Sequence, residues 1–291
     1  MRNKLLNIKG KLLSLEKPVV MGILNVTPDS FFSESRMQHE AAVNGRIESI
    51  ISEGGAIIDI GGYSSRPRAD FVTQEEEWNR LEPALDLLAK KYPETPTSVD
   101  TFRAEIARRA VVEYGVSIIN DISGGSMDEN MYATVTELNV PYILTHFRGT
   151  TQTMPQPEPL HPEDFLETPQ TKPRLQEEVM MYFAEKLRTL RLLGVNDVII
   201  DPGFGFGKTL EQNYEMMRYL NNFSIFFDCP LLVGISRKSM IYNMLDCTAD
   251  ESLNGTTVLH TYSLLNGANI LRVHDVKAAV EVIKLIDKIK S

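Results

Sequence analysis

Several absences narrow what this chain can be. It has two cysteines in 291 residues, Cys229 and Cys247, which form no metal-like pair and suit a reducing cytoplasm. None of its five histidines, His39, His146, His161, His260 and His274, belongs to an H-x-H or H-E-x-x-H pair, so tightly bound zinc is not expected. No apolar run is long enough to cross a bilayer. At the amino terminus, MRNKLLNIKGKLLSL interrupts its leucines with Asn7, Lys9 and Lys11, so the unbroken apolar stretch of a signal peptide is missing. A soluble, cytoplasmic protein is expected. Positive charge is in deficit too: 30 basic against 39 acidic residues give a formal charge of −9, with no general attraction for nucleic acid or anionic membrane. An anionic substrate must therefore be held by a local basic cluster. The single tryptophan, Trp78, falls on a predicted helix, which weakens a glycosidase reading of any carboxylate pair, because sugars are usually held by stacking aromatics.

What the chain has in abundance is alternation. Eight apolar segments each end on polar or charged residues and run into a helical stretch. VVMGILN ends at Asn25, AIIDIGG runs into Ser64-Ser65-Arg66, TSVD ends at Asp100, and SIIND supplies Asn120 and Asp121. PYILTHF carries His146, DVIIDP carries Asp201, PLLVGIS runs into Arg237-Lys238-Ser239, and NILRVHD carries Arg272, His274 and Asp275. Regular β/α alternation predicts an α/β fold closed as a parallel (β/α)8 TIM barrel, whose strand ends converge on one mouth. The 291 residues are close to the roughly 250 typical of one such barrel, so residues 1–291 read as a single domain. Residues 1–18 precede the first barrel strand, and Lys9-Gly10-Lys11 between two apolar segments predicts a β-hairpin that covers the barrel floor. Helical spacing predicts helices over 38–53, 74–91, 103–114, 129–138, 174–193, 210–221, 251–266 and 275–289, the last capped by Asp275. Residues 150–173, rich in proline and poor in periodicity, read as a long loop at the rim of the mouth, or as an inert surface excursion.

The glycine-rich run Asp201-Pro202-Gly203-Phe204-Gly205-Phe206-Gly207-Lys208-Thr209 follows a strand and opens a helix. It is not a P-loop, because the glycine required five residues before Gly207 is Pro202, and the G-x-G-x-x-G spacing fails as well. It reads instead as a turn that holds Asp201 at a strand end and projects Phe204 or Phe206 toward the mouth. A lone strand-end Asp is more often a structural cap. Asp100 and Asp201 together, with Asn120 nearby, suit the donor-rich edge of a guanidine-like or aminopyrimidine ring. Arg66, Lys238, Arg272 and His274 form the basic cluster, and with Asn25, Ser65 and Ser239 they make a site for phosphate or pyrophosphate. Magnesium carried in by a pyrophosphate fits this inventory, since that ion keeps waters and needs few protein ligands.

The strings GILNVTPDSF (22–31), IDIGG followed by Ser64-Ser65-Arg66-Pro67, SVDT (98–101), INDISGG (119–125), DPGFGFGKT (201–209), LLVGISRKSMI (231–241) and RVHDV (272–276) resemble dihydropteroate synthase, the folate-biosynthesis family of pterin-binding barrels. The resemblance spans nearly the whole chain. It implies a transferase that condenses 6-hydroxymethyl-7,8-dihydropterin pyrophosphate with p-aminobenzoate, releasing pyrophosphate, in a homodimer that is a target of sulfonamides. It also implies site roles. Asp100, Asn120, Asp201 and Lys238 would form the pterin pocket, with Arg272 stacking over the ring. Asn25, Ser65, Arg66, Arg272 and His274 would hold the pyrophosphate, Asn25 through Mg2+. Ser65, Pro67, Phe206, Lys238 and Ser239 would bind p-aminobenzoate, and the segments Thr27 to Arg36 and Tyr63 to Asp70 would close over it. Of these, Asp100, Asp201, Lys238 and Arg272 would carry catalysis. The chain departs from the family pattern at Tyr63, where glutamate is usual, at Ser65 for threonine, at Arg68 for glycine, and in Thr145 to Arg148, which lacks the usual methionines. Two alternatives share parts of this inventory: a methyltetrahydrofolate-dependent corrinoid methyltransferase, and a pterin-binding paralogue without turnover.

Overall fold

The structure, a computed structural model, describes residues 4–27, 36–63, 72–149 and 175–290. The rim segment 150–173, most of the two segments Thr27 to Arg36 and Tyr63 to Asp70, and with them Ser65, Arg66 and Pro67, lie outside the described residues.

Chain order begins with a hairpin, β1 (Leu5–Ile8) and β2 (Lys11–Ser14), paired antiparallel with Leu6 opposite Leu13. Its turn is Lys9-Gly10, both in the left-handed region at φ 50° and 80°, the geometry that matches the twist of a two-residue hairpin loop. The amide of Gly10 donates to Oδ1 of Asn7 at 2.8 Å, which fixes that turn. The barrel strands follow: β3 (Val19–Asn25), β4 (Ile57–Gly61), β5 (Thr97–Asp100), β6 (Ile118–Asp121), β7 (Tyr142–Thr145), β8 (Val198–Asp201), β9 (Leu232–Val233) and β10 (Ile270–Val273). Each pairs in parallel with its neighbour, in the order β8-β7-β6-β5-β4-β3-β10-β9. A parallel bridge between Ile200 and Leu231, with the Ile200 amide donating to the Pro230 carbonyl at 2.9 Å, brings β8 to β9. The helices are α1 (Arg36–Ser52), α2 (Gln74–Lys91), α3 (Ala104–Tyr114), α4 (Met131–Leu138), α5 (Leu175–Leu192), α6 (Leu210–Arg218), α7 (Leu220–Phe226), α8 (Ser239–Leu245), α9 (Leu253–Leu265) and α10 (Val276–Lys290).

Period-two alternation along each strand sorts the core into two parts. Val20, Ile58, Ile119, Leu144, Ile200, Val233 and Leu271 point outward, into the layer shared with the helices. Their neighbours Met21, Ile57, Ile118, Ile143, Ile199, Leu232 and Ile270 point inward and meet Leu6, Ile8 and Leu15 from the hairpin. The hairpin therefore plugs the amino-terminal end of the barrel, as its apolar pattern predicts, and each such buried side chain contributes about 1.5–3 kcal/mol. Two residues further along β4, β6, β7, β8 and β10, and just past β9, the same interior face carries Asp59, Asn120, Thr145, Asp201, Arg272 and Gly234, while β3 carries Ile23. An apolar floor thus changes within one layer to a polar chamber.

Several helices differ from the sequence pattern. The single helix expected over 210–221 is two, because the chain turns at Tyr219 between α6 and α7. The helix expected from residue 251 starts with a 3-10 turn, Asp250–Ser252, before α9. Helix α8 has only seven residues and no predicted counterpart. Asp275 starts α10 through its carbonyl, which accepts from the Ala279 amide at 3.2 Å. Its carboxylate is occupied by Arg237, so the side-chain cap expected there is not what Asp275 supplies.

Candidate active site

The interior residues at the carboxyl ends of the strands build the chamber. Strand registers set Asn25, Gly61, Asp100 and Asn120 at one level across β3, β4, β5 and β6. Gly61 keeps that level open, since a methyl group built on it would lie 3.5 Å from Cβ of Asp100 and 3.8 Å from Oδ1 of Asn25. Across the barrel, Gly234 does the same beside Arg272 and Asp201, whose side chains would lie 3.8 and 3.9 Å from such a methyl.

Arg272 is the hub. Its Nη2 donates to Oδ2 of Asp100 at 2.7 Å and its Nε to Oδ2 of Asp59 at 2.6 Å. The same Asp59 oxygen accepts from Nδ2 of Asn120 at 3.1 Å. Burial opposes the charge on Arg272, but Asp59 and Asp100 outweigh it and hold the guanidinium pKa above its ordinary value. Burial raises the Asp100 carboxyl, with Arg272 pulling the other way and Asp59 adding to the rise. Asp201 is raised by burial too, opposed first by Lys238 and then by the Gly203 amide, which donates to its Oδ1 at 2.8 Å.

Lys238 reaches over the same space from the start of α8. Its Nζ donates to the Phe204 carbonyl at 2.5 Å and stands 4.4 Å from the centre of the Phe206 ring. Burial lowers its pKa to about 8, against the pull of Asp201. Of the two alternatives for an aromatic at the mouth, Phe206 is the one beside Lys238, whereas Phe204 is fully buried in the core. Ser239 opens α8 next to Lys238. His274 is neutral rather than cationic: burial and the adjacent Arg272 lower its pKa to about 4, so at neutral pH it offers one N–H donor instead of a charge. The basic cluster read from the sequence therefore loses one of its charges. Arg237 faces away from it, with Nε and Nη2 each 2.8 Å from the Asp275 carboxylate.

Two interior residues were not singled out by sequence reasoning. Asp59 lies in the middle of β4, where a strand-end search does not look. Lys208 sits in the glycine run and donates to the carbonyls of Gly203, His146 and Phe206 at 2.7, 3.2 and 3.3 Å. That lysine ties the β8–α6 turn to β7, while Thr209 caps α6 in a capping box with Gln212. The Gly-Lys-Thr triplet is thus spent on local structure. Gly203 and Gly207, at φ 70° and 63°, leave no room for a side chain, because a Cβ would come 2.0 and 2.3 Å from the carbonyl oxygens of His146 and Arg148. Asp121, also at a strand end, is likewise internal: it accepts from Ser123, Gly125 and the Tyr142 hydroxyl. Tyr63, at one of the departures from the family pattern, packs edge-on against Phe102 with ring centres 5.2 Å apart. Among the described residues no group of three or more His, Cys, Asp or Glu side chains is arranged to hold a metal ion.

Asp100 and Asp201 beside Arg272 and Lys238, largely buried at the carboxyl ends of the strands, suit a ligand that brings several N–H donors. The family comparison agrees: the model described as pterin binding enzyme matches residues 21–274, so the chain belongs to the pterin-binding enzymes. Dihydropteroate synthase of Escherichia coli (strain K12) is 37% identical over 283 residues, covering 96% of this chain and 94% of the relative. Among solved structures, Yersinia pestis dihydropteroate synthase in a sulfonamide complex superposes with a TM-score of 0.86 at 32% identity, over 98% of this chain and 99% of that one. Xanthomonas albilineans dihydropteroate synthase with 4-aminobenzoic acid gives 0.86 at 31% identity, over 99% and 98%. Within the pterin-binding class, these relatives place the chain among the dihydropteroate synthases.

Proposed function

We propose that the chamber joins 6-hydroxymethyl-7,8-dihydropterin pyrophosphate to p-aminobenzoate, and that its residues act as follows. Asp100, Asp201 and the Asn120 carbonyl oxygen accept from the ring N–H and amino donors of the pterin. Arg272 and the His274 N–H, together with Ser65 and Arg66 outside the described residues, receive the pyrophosphate. Phe206, Lys238 and Ser239, with Ser65 and Pro67, take p-aminobenzoate, and a sulfonamide that presents the same aniline competes there. The observation that carries this reading is the facing of Asp59, Asp100 and Asp201 with Arg272 and Lys238 in one buried chamber.

The methylene carbon loses its bond to the pyrophosphate oxygen, which leaves with the bonding electron pair. Asp100 and Asp201 favour the positive charge then spread over the pterin, and Arg272 favours the negative charge on the leaving group. The aniline nitrogen, unprotonated near neutral pH, forms the new C–N bond and gives up a proton, so no strong general base is required. Asn25 offers a neutral amide oxygen at the mouth beside Asp100, a donor type that fits Mg2+ already carrying phosphate oxygens and water. Magnesium held there would supply charge neutralisation to the pyrophosphate.

A homodimer in the cytoplasm completes the proposal. Val258, Tyr262 and Leu265 on α9, with Leu285 and Ile289 on α10, leave an apolar face in solvent that a second copy would cover. Among the described residues no helix is long and apolar enough to cross a membrane. The site assignment is tested by Asp201→Asn, which should weaken binding of the pterin pyrophosphate by about tenfold or more in calorimetry, the cost of a lost charge-assisted hydrogen bond. Its melting temperature should stay within a few degrees; unchanged pterin affinity would remove Asp201 from the pocket.

A further inference from the structure

Asp59 is a carboxylate of the chamber whose place no ligand contact explains. It lies between Ile58 and Ile60 on β4, fully buried, level with Ser98 on β5 and two residues below Gly61, which stands opposite Asp100. At roughly 3.3 Å per residue it sits about one side-chain layer under the Asp100 carboxylate. Its Oδ2 accepts from two strands at once, from Asn120 Nδ2 at 3.1 Å and Arg272 Nε at 2.6 Å. Its Oδ1 has no hydrogen-bond partner among the described residues. A buried carboxylate with one oxygen unpaired is a poor way to stabilise a barrel interior, where an apolar side chain would serve better. What Asp59 does to its two partners is more specific. An asparagine amide can present either its oxygen or its NH2 to a ligand, and donation from Nδ2 to Asp59 turns the oxygen of Asn120 to the other side. A guanidinium held at one nitrogen can rotate; held at Nε by Asp59 and at Nη2 by Asp100, it has one plane.

We propose that Asp59 is a positioning residue for the pterin subsite, setting Asn120 with its oxygen toward the ligand and Arg272 in a fixed plane. The inference rests on the reading of the chamber as a pterin site. Without Asp59, the Asn120 amide is free to present donors to a ring edge that itself brings donors, and Arg272 loses one of its two anchors. Pterin recognition suffers, whereas p-aminobenzoate, assigned to Phe206, Lys238 and Ser239, is spared.

The test compares the wild type with Asp59→Asn, Asn120→Ala and the double variant, using 6-hydroxymethyl-7,8-dihydropterin pyrophosphate as the probe. Asp59→Asn should bind it about tenfold or more weakly, the scale of a lost hydrogen bond to a charged group, with kcat reduced and KM for p-aminobenzoate unchanged at saturating pterin. Because part of its effect runs through Asn120, the losses in the two single variants should not multiply in the double variant. Unchanged pterin affinity in Asp59→Asn, or losses that multiply in full, would overturn the role. Should the variants fail to fold, the wild type still decides: the Arg272 Nε–H and Asn120 side-chain amide protons should exchange slowly with solvent in NMR, with and without pterin, and fast exchange would overturn it. Wild-type turnover beside an unaffected Asp59→Asn variant rejects only the role of Asp59, whereas a wild type that turns over neither substrate rejects the pterin reading itself.

Discussion

Lys238 stands between the two proposed subsites with opposing forces on its charge. Burial draws its pKa down to about 8 and Arg272 adds to the fall, while Asp201 and Asp100 favour the ammonium. The ammonium is therefore present below about pH 8 and lost as the pH rises through that value. The account predicts an alkaline limb near 8 in the pH profile of kcat/KM for the pterin substrate. Lys238→Arg, charged throughout, should lower activity through altered geometry but move that limb to higher pH. A limb that stays in place would assign the titration to another group. His274 makes the complementary point: burial and then Arg272 lower the pKa of a residue counted as basic in the sequence to about 4, so its charge is not built into the site.

At the scale of elements, the barrel is organised by one rule, the alternation of inward and outward residues, with the hairpin closing its floor. Leu6 is almost fully buried under the floor layer, where Ile57, Ile118, Ile143, Ile199, Leu232 and Ile270 converge. Leu6→Ala should cost about 2–5 kcal/mol in denaturant unfolding, the range for a large-to-small change in a packed core. Turnover per folded molecule should be preserved, because the polar layer above does not touch Leu6; a selective loss of activity without loss of stability would contradict the division into floor and chamber. The same alternation explains what the sequence could and could not reveal. Asn25, Asp100, Asn120, Asp201 and Arg272 were visible as polar residues at or near the ends of apolar strands. Asp59 was equally readable in principle, as a charge inside IIDIG two residues after the floor residue Ile57, but it needs the inward face to be counted, not only the strand end. That Asp59 meets Arg272 and Asn120, or that Lys208 reaches the His146 carbonyl, depends on neighbours from other strands and has no local signature. Helix α8 was missed for a related reason, since seven residues are too few to show a helical period.

For the molecule as a whole, the two substrates should not bind independently. The p-aminobenzoate subsite is assigned in part to Ser65 and Pro67, next to Arg66, whose proposed partner is the pyrophosphate of the first substrate. Affinity for p-aminobenzoate should therefore rise when pyrophosphate and Mg2+, or the pterin pyrophosphate, are already bound, a coupling paid by the first ligand. Equal affinity in titrations with and without pyrophosphate and Mg2+ would reject it, and Arg66→Ala should abolish the enhancement. The central claim is the condensation itself. Purified protein mixed with 6-hydroxymethyl-7,8-dihydropterin pyrophosphate and p-aminobenzoate, in the presence of Mg2+, should release pyrophosphate and 7,8-dihydropteroate in equal amounts, with neither formed when either substrate is withheld. Pyrophosphate release that is absent, or that proceeds without p-aminobenzoate and yields no dihydropteroate, would contradict the account.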